Sequence, residues 1–245
     1  MKTRMNAKVV WIILCCATAC GAANESISPS DWTVPPRYEG QIVSKRVRFF
    51  PEKILALTFD DGPSKEITPR VLDILAAYDA HATFFVRGDE AKLHPDLLRR
   101  IVAEGNVIGN HSFSHPKQES PAQAVAEIQK TSMIIRQTVG RSPTLFRPPY
   151  GLVHSNLTKA AIRKGFTVVT WTISSADSRP IGPDVIANNA IHTPNPGDII
   201  IMHDSDVHGA TADALPLILK QLGDQGYKFV TIPELLRAWD KYLQE

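Results

Sequence analysis

From residue 48 onward the chain alternates between two spacings of apolar residues. Short runs rich in Val, Ile, Leu and Phe predict strands at 54–59, 82–86, 107–109, 144–146, 166–171, 199–202 and 227–231. Between them lie segments with apolar residues three and four apart, bounded by helix punctuation. Thr68-Pro69 reads as an N-cap followed by the first helical position. Pro95 opens a helix that Gly105 closes, and Ser120-Pro121 opens one that Gly140 closes. Asn156 to Lys164, stopped by Gly165, and the stretches 184–192 and 213–225 complete the helices. Seven strand–helix alternations predict an α/β fold, a parallel sheet with helices outside it, open or closed as a barrel.

The first 47 residues break this pattern. Lys2, Arg4 and Lys8 precede an apolar run at 9–19 that ends in small residues. Such a run is too short to cross a bilayer core of roughly 30 Å as a helix, and with its basic flank it reads as a secretory signal. The expected leader spans 1–23, and the chain is expected to be exported, to a periplasmic or extracellular location. Ala17-Thr18-Ala19-Cys20 resembles a bacterial lipobox, which would leave a lipid anchor on Cys20. Gly21-Ala22-Ala23 suits ordinary signal peptidase, which would leave the product free. Residues 24–47, polar and proline-bearing, read as an irregular arm or linker, and 48–245 as one catalytic domain.

Composition removes several classes. All three cysteines, Cys15, Cys16 and Cys20, fall in the leader, so neither a disulfide framework nor a cysteine metal site can hold the domain. The formal charge of +2 is supplied by the basic residues of the leader. The remainder has no basic field that would bind nucleic acid.

The unusual polar residues cluster at the C-terminal ends of expected strands. Asp60-Asp61-Gly62 follows the first, His111 and His115 the third, and Arg147-Pro148-Pro149-Tyr150 the fourth. Asp177 follows the fifth, and His203-Asp204 the sixth. In β/α barrels that face carries the chemistry. Two imidazoles four residues apart lie on one side of a helical turn, where they could bind zinc or a similar ion. Asp60 or Asp61 would supply a third ligand, leaving the other carboxylate free to take a proton. The competing reading makes Asp60-Asp61-Gly62 a strand-to-helix turn, and two histidines at this spacing are often unrelated. His81, His94, His154, His192 and His208 read as surface or capping residues, with His208 the exception to watch because it follows His203 in a loop.

Leu57-Thr58-Phe59-Asp60-Asp61-Gly62-Pro63, His111-Ser112-Phe113-Ser114-His115, Arg147-Pro148-Pro149-Tyr150-Gly151 and Ile201-Met202-His203-Asp204 together resemble the ordered motifs of the polysaccharide deacetylase family, carbohydrate esterase family 4, with its NodB-homology domain. The resemblance runs from about residue 53 to 236. It implies a NodB-like distorted (β/α) barrel of about seven parallel strands, and metal-dependent removal of N-acetyl or O-acetyl groups from a polysaccharide such as peptidoglycan, a chitin-like oligomer or xylan. It would make Asp60 the general base, oriented by Arg147, and His203 the general acid, tuned by Asp177. It would make Asp61, His111 and His115 the ligands of Zn2+, or of Co2+ or a similar divalent ion. It would place the substrate and its oxyanion against Pro149 and the backbone N–H of Tyr150. The family's fourth motif, Asp-x-x-Asp-Trp, departs here to Ser174-Ser175-Ala176-Asp177-Ser178, so the apolar wall that the Trp forms is expected to be lowered or open.

Overall fold

The structure, a computed structural model, describes residues 31–245; the leader and Cys20 lie outside them. Among the described residues nine parallel strands form one curled sheet. They are β1 (Ile42–Val43), β2 (Ile54–Asp60), β3 (Ala82–Val86), β4 (Val107–Asn110), β5 (Leu145–Phe146), β6 (Thr167–Val169), β7 (Ile173–Ser174), β8 (Ile199–His203) and β9 (Lys228–Phe229). The order is β1-β6-β5-β4-β3-β2-β8-β7, with β9 paired to the start of β2. Eight α-helices pack with them: α1 (Ile67–Ala77), α2 (Gly88–Leu93), α3 (Pro95–Ala103), α4 (Pro121–Val139), α5 (Asn156–Arg163), α6 (Pro183–Ile191), α7 (Gly209–Asp224) and α8 (Ile232–Tyr242). None of these helices is long and apolar enough to cross a membrane.

β2 is the axis of the sheet. It pairs with β3 on one side and β8 on the other, and it is buried from Leu55 to Asp60. This is why it reads as a continuous apolar run rather than an alternating one. The two strands beyond the expected seven, β1 and β7, have two residues each and carry too little pattern to be seen in sequence. β1 lies in the expected arm and pairs with β6.

The sheet is an incomplete barrel whose edges nearly meet. Thr170 donates its N–H to Val43 O of β1, and Thr172 donates to Ile199 O of β8. Only Thr170, Trp171 and Thr172 separate β6 from β7, a link that reaches at most about 14 Å.

Helix ends follow the expected punctuation, with one exception. Ser120 and Gln123 form a reciprocal capping box at α4, and Gly140 ends that helix in the left-handed region (φ 74°). Helix α1, however, begins at Ile67, so Thr68 is not its N-cap. The Thr68 hydroxyl turns inward, accepts from Ser64 N–H and donates to Asp204 Oδ2 at 2.6 Å. Pro69 still sits in the first turn, where its missing N–H is not needed.

Gly109 in β4 shows how tightly the interior is filled. A Cβ there would lie 2.4 Å from the ring of Phe85. Gly109→Ala is expected to destabilise the fold by about 1–3 kcal/mol through this overlap, read as a lower urea midpoint with an unchanged slope.

Candidate active site

Strand register brings the sequence-predicted residues together. Asp60 and His203 are direct neighbours in the β2–β8 ladder, and Asn110, just before His111, pairs with Phe146, just before Arg147. All the predicted residues lie at the C-terminal mouth of the barrel.

Arg147 is wholly buried and spans the lumen. Its Nη1 donates to Asp60 Oδ1 at 2.8 Å and to Thr58 Oγ1 at 2.7 Å. Its Nε and Nη2 donate to Val169 O and Thr170 O at 3.1 and 3.0 Å. The Phe85 ring lies 4.1 Å from the guanidinium carbon, close enough for a cation–π contact. Burial lowers the Arg147 pKa and Asp60 raises it; the guanidinium stays charged.

Asp60 Oδ2 comes within 3.8 Å of His111 Nε2, but of the two carboxylates Asp61 is the one that faces both imidazoles. Its Oδ1 lies 3.7 Å from His111 Nε2 and 3.5 Å from His115 Nε2, and it is buried without a hydrogen-bond partner. The three side chains form a group whose donor atoms lie within 4.8 Å of one another. His111 Nδ1 lies 2.7 Å from Arg147 O. A carbonyl can only accept, so Nδ1 carries the hydrogen and Nε2 presents its lone pair to Asp61. An orphaned carboxylate oxygen facing two imidazoles repels their lone pairs unless a cation lies among them. The His2Asp set therefore fits a divalent ion of the zinc type.

The electrostatics agree with this fit. Burial, then the neighbouring His111, lowers the His115 pKa to about 4, so the ring stays neutral as a ligand must be. Burial acts to raise the Asp61 pKa, but the surrounding positive charge, that of His203 and Arg87 included, brings it below the ordinary carboxylate value.

The two imidazoles do not converge on a helical turn, as the spacing suggested. Residues 111–115 form a loop, with Ser112 and His115 at φ 66° and 55°. Glu127 of α4 holds that loop, accepting from Phe113 N–H, Ser114 N–H and the Ser114 hydroxyl. Asp61, Tyr150 and Ala176 also adopt positive φ. Such conformations cost roughly 1–3 kcal/mol each and gather at functional sites.

Opposite the His–Asp group, His203 Nδ1 lies 2.9 Å from Asp177 Oδ1, which leaves Nε2 for the site. Asp177 also accepts from His203 N–H, the Ser175 hydroxyl and the Thr211 hydroxyl at 2.7, 2.9 and 2.6 Å. Burial lowers the His203 pKa, but the hydrogen bond and charge of Asp177 outweigh it and bring the value up to about 9. His208 stacks on His203 with ring centroids 4.8 Å apart, so it belongs to the site rather than to the surface. Pro149 is buried in the 3-10 turn Pro149–Gly151. Tyr150 rests its ring 4.5 Å from that of His115, and its N–H has no acceptor among the described residues.

Four supporting residues escape sequence reasoning. Thr211, Ser175 and Glu127 are ordinary polar residues whose role exists only through distant partners. Asp204 stands beside a predicted residue, yet its buried carboxylate accepts from Gly62 N–H and Thr68. A Cβ on Gly62 would lie 2.3 Å from that carboxylate, so the turn after Asp61 requires glycine. Burial pushes the Asp204 pKa up to about 7. The departures in the fourth motif also become interpretable. Ser174 Oγ accepts from Ala176 N–H at 3.2 Å, a turn-forming bond that Asp also makes, and Ser178 is exposed.

A family model described as polysaccharide deacetylase matches residues 48–169. A peptidoglycan N-acetylglucosamine deacetylase of Bacillus cereus is 38% identical over 189 residues, covering 75% of this chain and 68% of the relative. The peptidoglycan N-acetylmuramic acid deacetylase PdaC of Bacillus subtilis is also 38% identical, over 75% of this chain; the chain spans 39% of PdaC's length. Among solved structures, a peptidoglycan N-acetylglucosamine deacetylase shares 37% identity with a TM-score of 0.72, covering 76% of this chain and 89% of that one. With the motifs in order, the curled parallel sheet and relatives of this similarity, the chain belongs to the polysaccharide deacetylase family, among its N-deacetylase enzymes.

Proposed function

We propose that this chain is a metal-dependent hydrolase that removes N-acetyl groups from N-acetylglucosamine-containing polysaccharide, with peptidoglycan the favoured polymer and a chitin-like oligomer the alternative. The different settings of the two adjacent carboxylates carry this reading: Asp60 gives one oxygen to Arg147 and turns the other toward His111, while Asp61, with no hydrogen-bond partner for its Oδ1, faces both His111 and His115. The activities of the relatives favour peptidoglycan. The leader at 1–23 supports action outside the cytoplasmic membrane, either free or anchored through Cys20.

Asp61, His111 and His115 would hold the ion, zinc by its donor set, with cobalt or a similar metal as substitutes. Bound there, it supplies Lewis acidity toward the acetyl carbonyl and acidifies water. Asp60, with Oδ1 committed to Arg147, uses its other oxygen to take the proton of the attacking water. The free N–H of Tyr150 takes up the charge that develops on the acetyl oxygen, and Pro149 fixes the turn that presents it. An amine leaves only when protonated. His203, charged through Asp177, delivers that proton from Nε2.

The same site could cleave an acetyl ester, and one related structure is a carbohydrate esterase domain of a multidomain xylanase, 35% identical. Another, 31% identical, is described as a pseudoenzyme of the family from Bacillus anthracis. Here Asp60 and His203 are both in place, and glycan binding alone would need neither. The test is acetate release from peptidoglycan, chitin oligomers and acetylated xylan by the zinc- or cobalt-loaded protein. Release from the N-acetylated glycans supports the proposal; release from xylan alone, or from none, overturns it.

Asp60→Asn is expected to lower kcat about 100- to 10,000-fold while bound metal, read by elemental analysis, stays stoichiometric. His111→Ala is expected to lose the ion, and a retained stoichiometric ion would refute its role as a ligand. Thr211→Val removes a donor from Asp177 and leaves that carboxylate more basic, so His203 holds its proton more tightly. The alkaline limb of the kcat profile should move up by about half a pH unit or more while the plateau falls. Thr211→Ser should restore both, and a lower plateau without movement of the limb would mark the hydroxyl as merely structural.

A further inference from the structure

The wall made by His115 and Tyr150 has a second side. Beyond it lies a cavity of about 510 Å3 between residues 117–119, which continue from His115, and residues 151–159, which continue from Tyr150. Tyr150 and Leu152 are exposed large apolar side chains at its approach, a surface suited to the face of a sugar ring.

The lining carries Lys117 and Lys159, both exposed and neither in an ion pair among the described residues. The one acid in the lining, Glu119, is committed elsewhere. Its Oε1 accepts from Leu157 N–H at 2.9 Å, in the first turn of α5, and its backbone oxygen accepts from Asn156 Nδ2. A carboxylate in that place offsets the positive end of the helix and leaves the two ammonium groups without a partner. Holding two like charges around one open cavity has no structural benefit; it suits an anion that arrives with the substrate.

We infer that this cavity takes a carboxylate carried by a substituent of the glycan, positioned while the neighbouring acetamide lies at Asp60 and His203. The inference rests on the deacetylase reading of that site and gives it a substrate class: acetylated glycans with acidic substituents over neutral ones. In a muramoyl glycan the carboxylate can be that of the lactyl ether or of an attached peptide, and the chemistry read by the lysines is the same.

The test compares two pairs of glycans, each as the free carboxylate and as its amide: muramoyl-peptide strands, whose carboxylates lie on the peptide because the lactyl carboxyl is tied up in the link to it, and peptide-free strands, whose lactyl carboxylate is bare. Wild-type protein should show kcat/KM about tenfold higher on the carboxylate form than on the amidated form, a preference that falls as salt rises. In the double variant Lys117→Gln/Lys159→Gln that ratio should collapse toward one. A preference within the peptide-free pair assigns the lactyl carboxylate, and one within the peptide-bearing pair assigns the peptide. Absence of the preference from both pairs in the wild type, or its persistence in the variant, overturns the inference. Acetate release from the amidated strands leaves the deacetylase reading standing in either case. If no glycan is turned over, the same ratio read as binding affinity by calorimetry still decides the inference.

Discussion

Arg147 keeps a full positive charge at a position with no access to water, and the mouth of the barrel is organised around that fact. An unpaired buried charge is costly, and breaking such a pair from one side typically costs about 3–5 kcal/mol. The guanidinium meets this demand with four acceptors drawn from β2 and from the end of β6, and with the face of Phe85. Its own carbonyl fixes the tautomer of His111. One residue therefore sets the position of Asp60, the orientation of His111 and the distance between the two walls of the lumen.

The two carboxylates after β2 are neighbours in sequence but do different work, because only one can reach Arg147. Asp60 ends the strand and points into the lumen. Asp61 has already left it in a left-handed conformation, in a turn that tolerates only glycine next because Asp204 fills the space beneath. Similar economy appears opposite, where Asp177 accepts four hydrogen bonds and so remains an anion beside His203.

The central strands and the position of the polar clusters were legible in sequence because β2, β3 and β8 are buried on both faces and show it as apolar runs. The two-residue strands β1 and β7 were not, since pairing with a neighbour defines them. Thr68 was misread for the same reason: its hydroxyl has a better partner in Asp204, 136 residues away, than in the helix it seemed to cap. The His111–His115 pair was found by its spacing, but the geometry behind it is a strained loop held by Glu127 on a different helix. Local pattern locates side chains along the chain, whereas long-range hydrogen bonds decide where they point.

The shortness of the two outermost strands has a further effect, on self-association. A parallel sheet that stops short of closure would normally offer two free strand edges, each able to recruit another chain. Here both edge strands, β1 and β7, are only two residues long. Edges that short offer little ladder for strand-to-strand stacking, so the barrel can leave its mouth open to a polymer without presenting a long template to another chain.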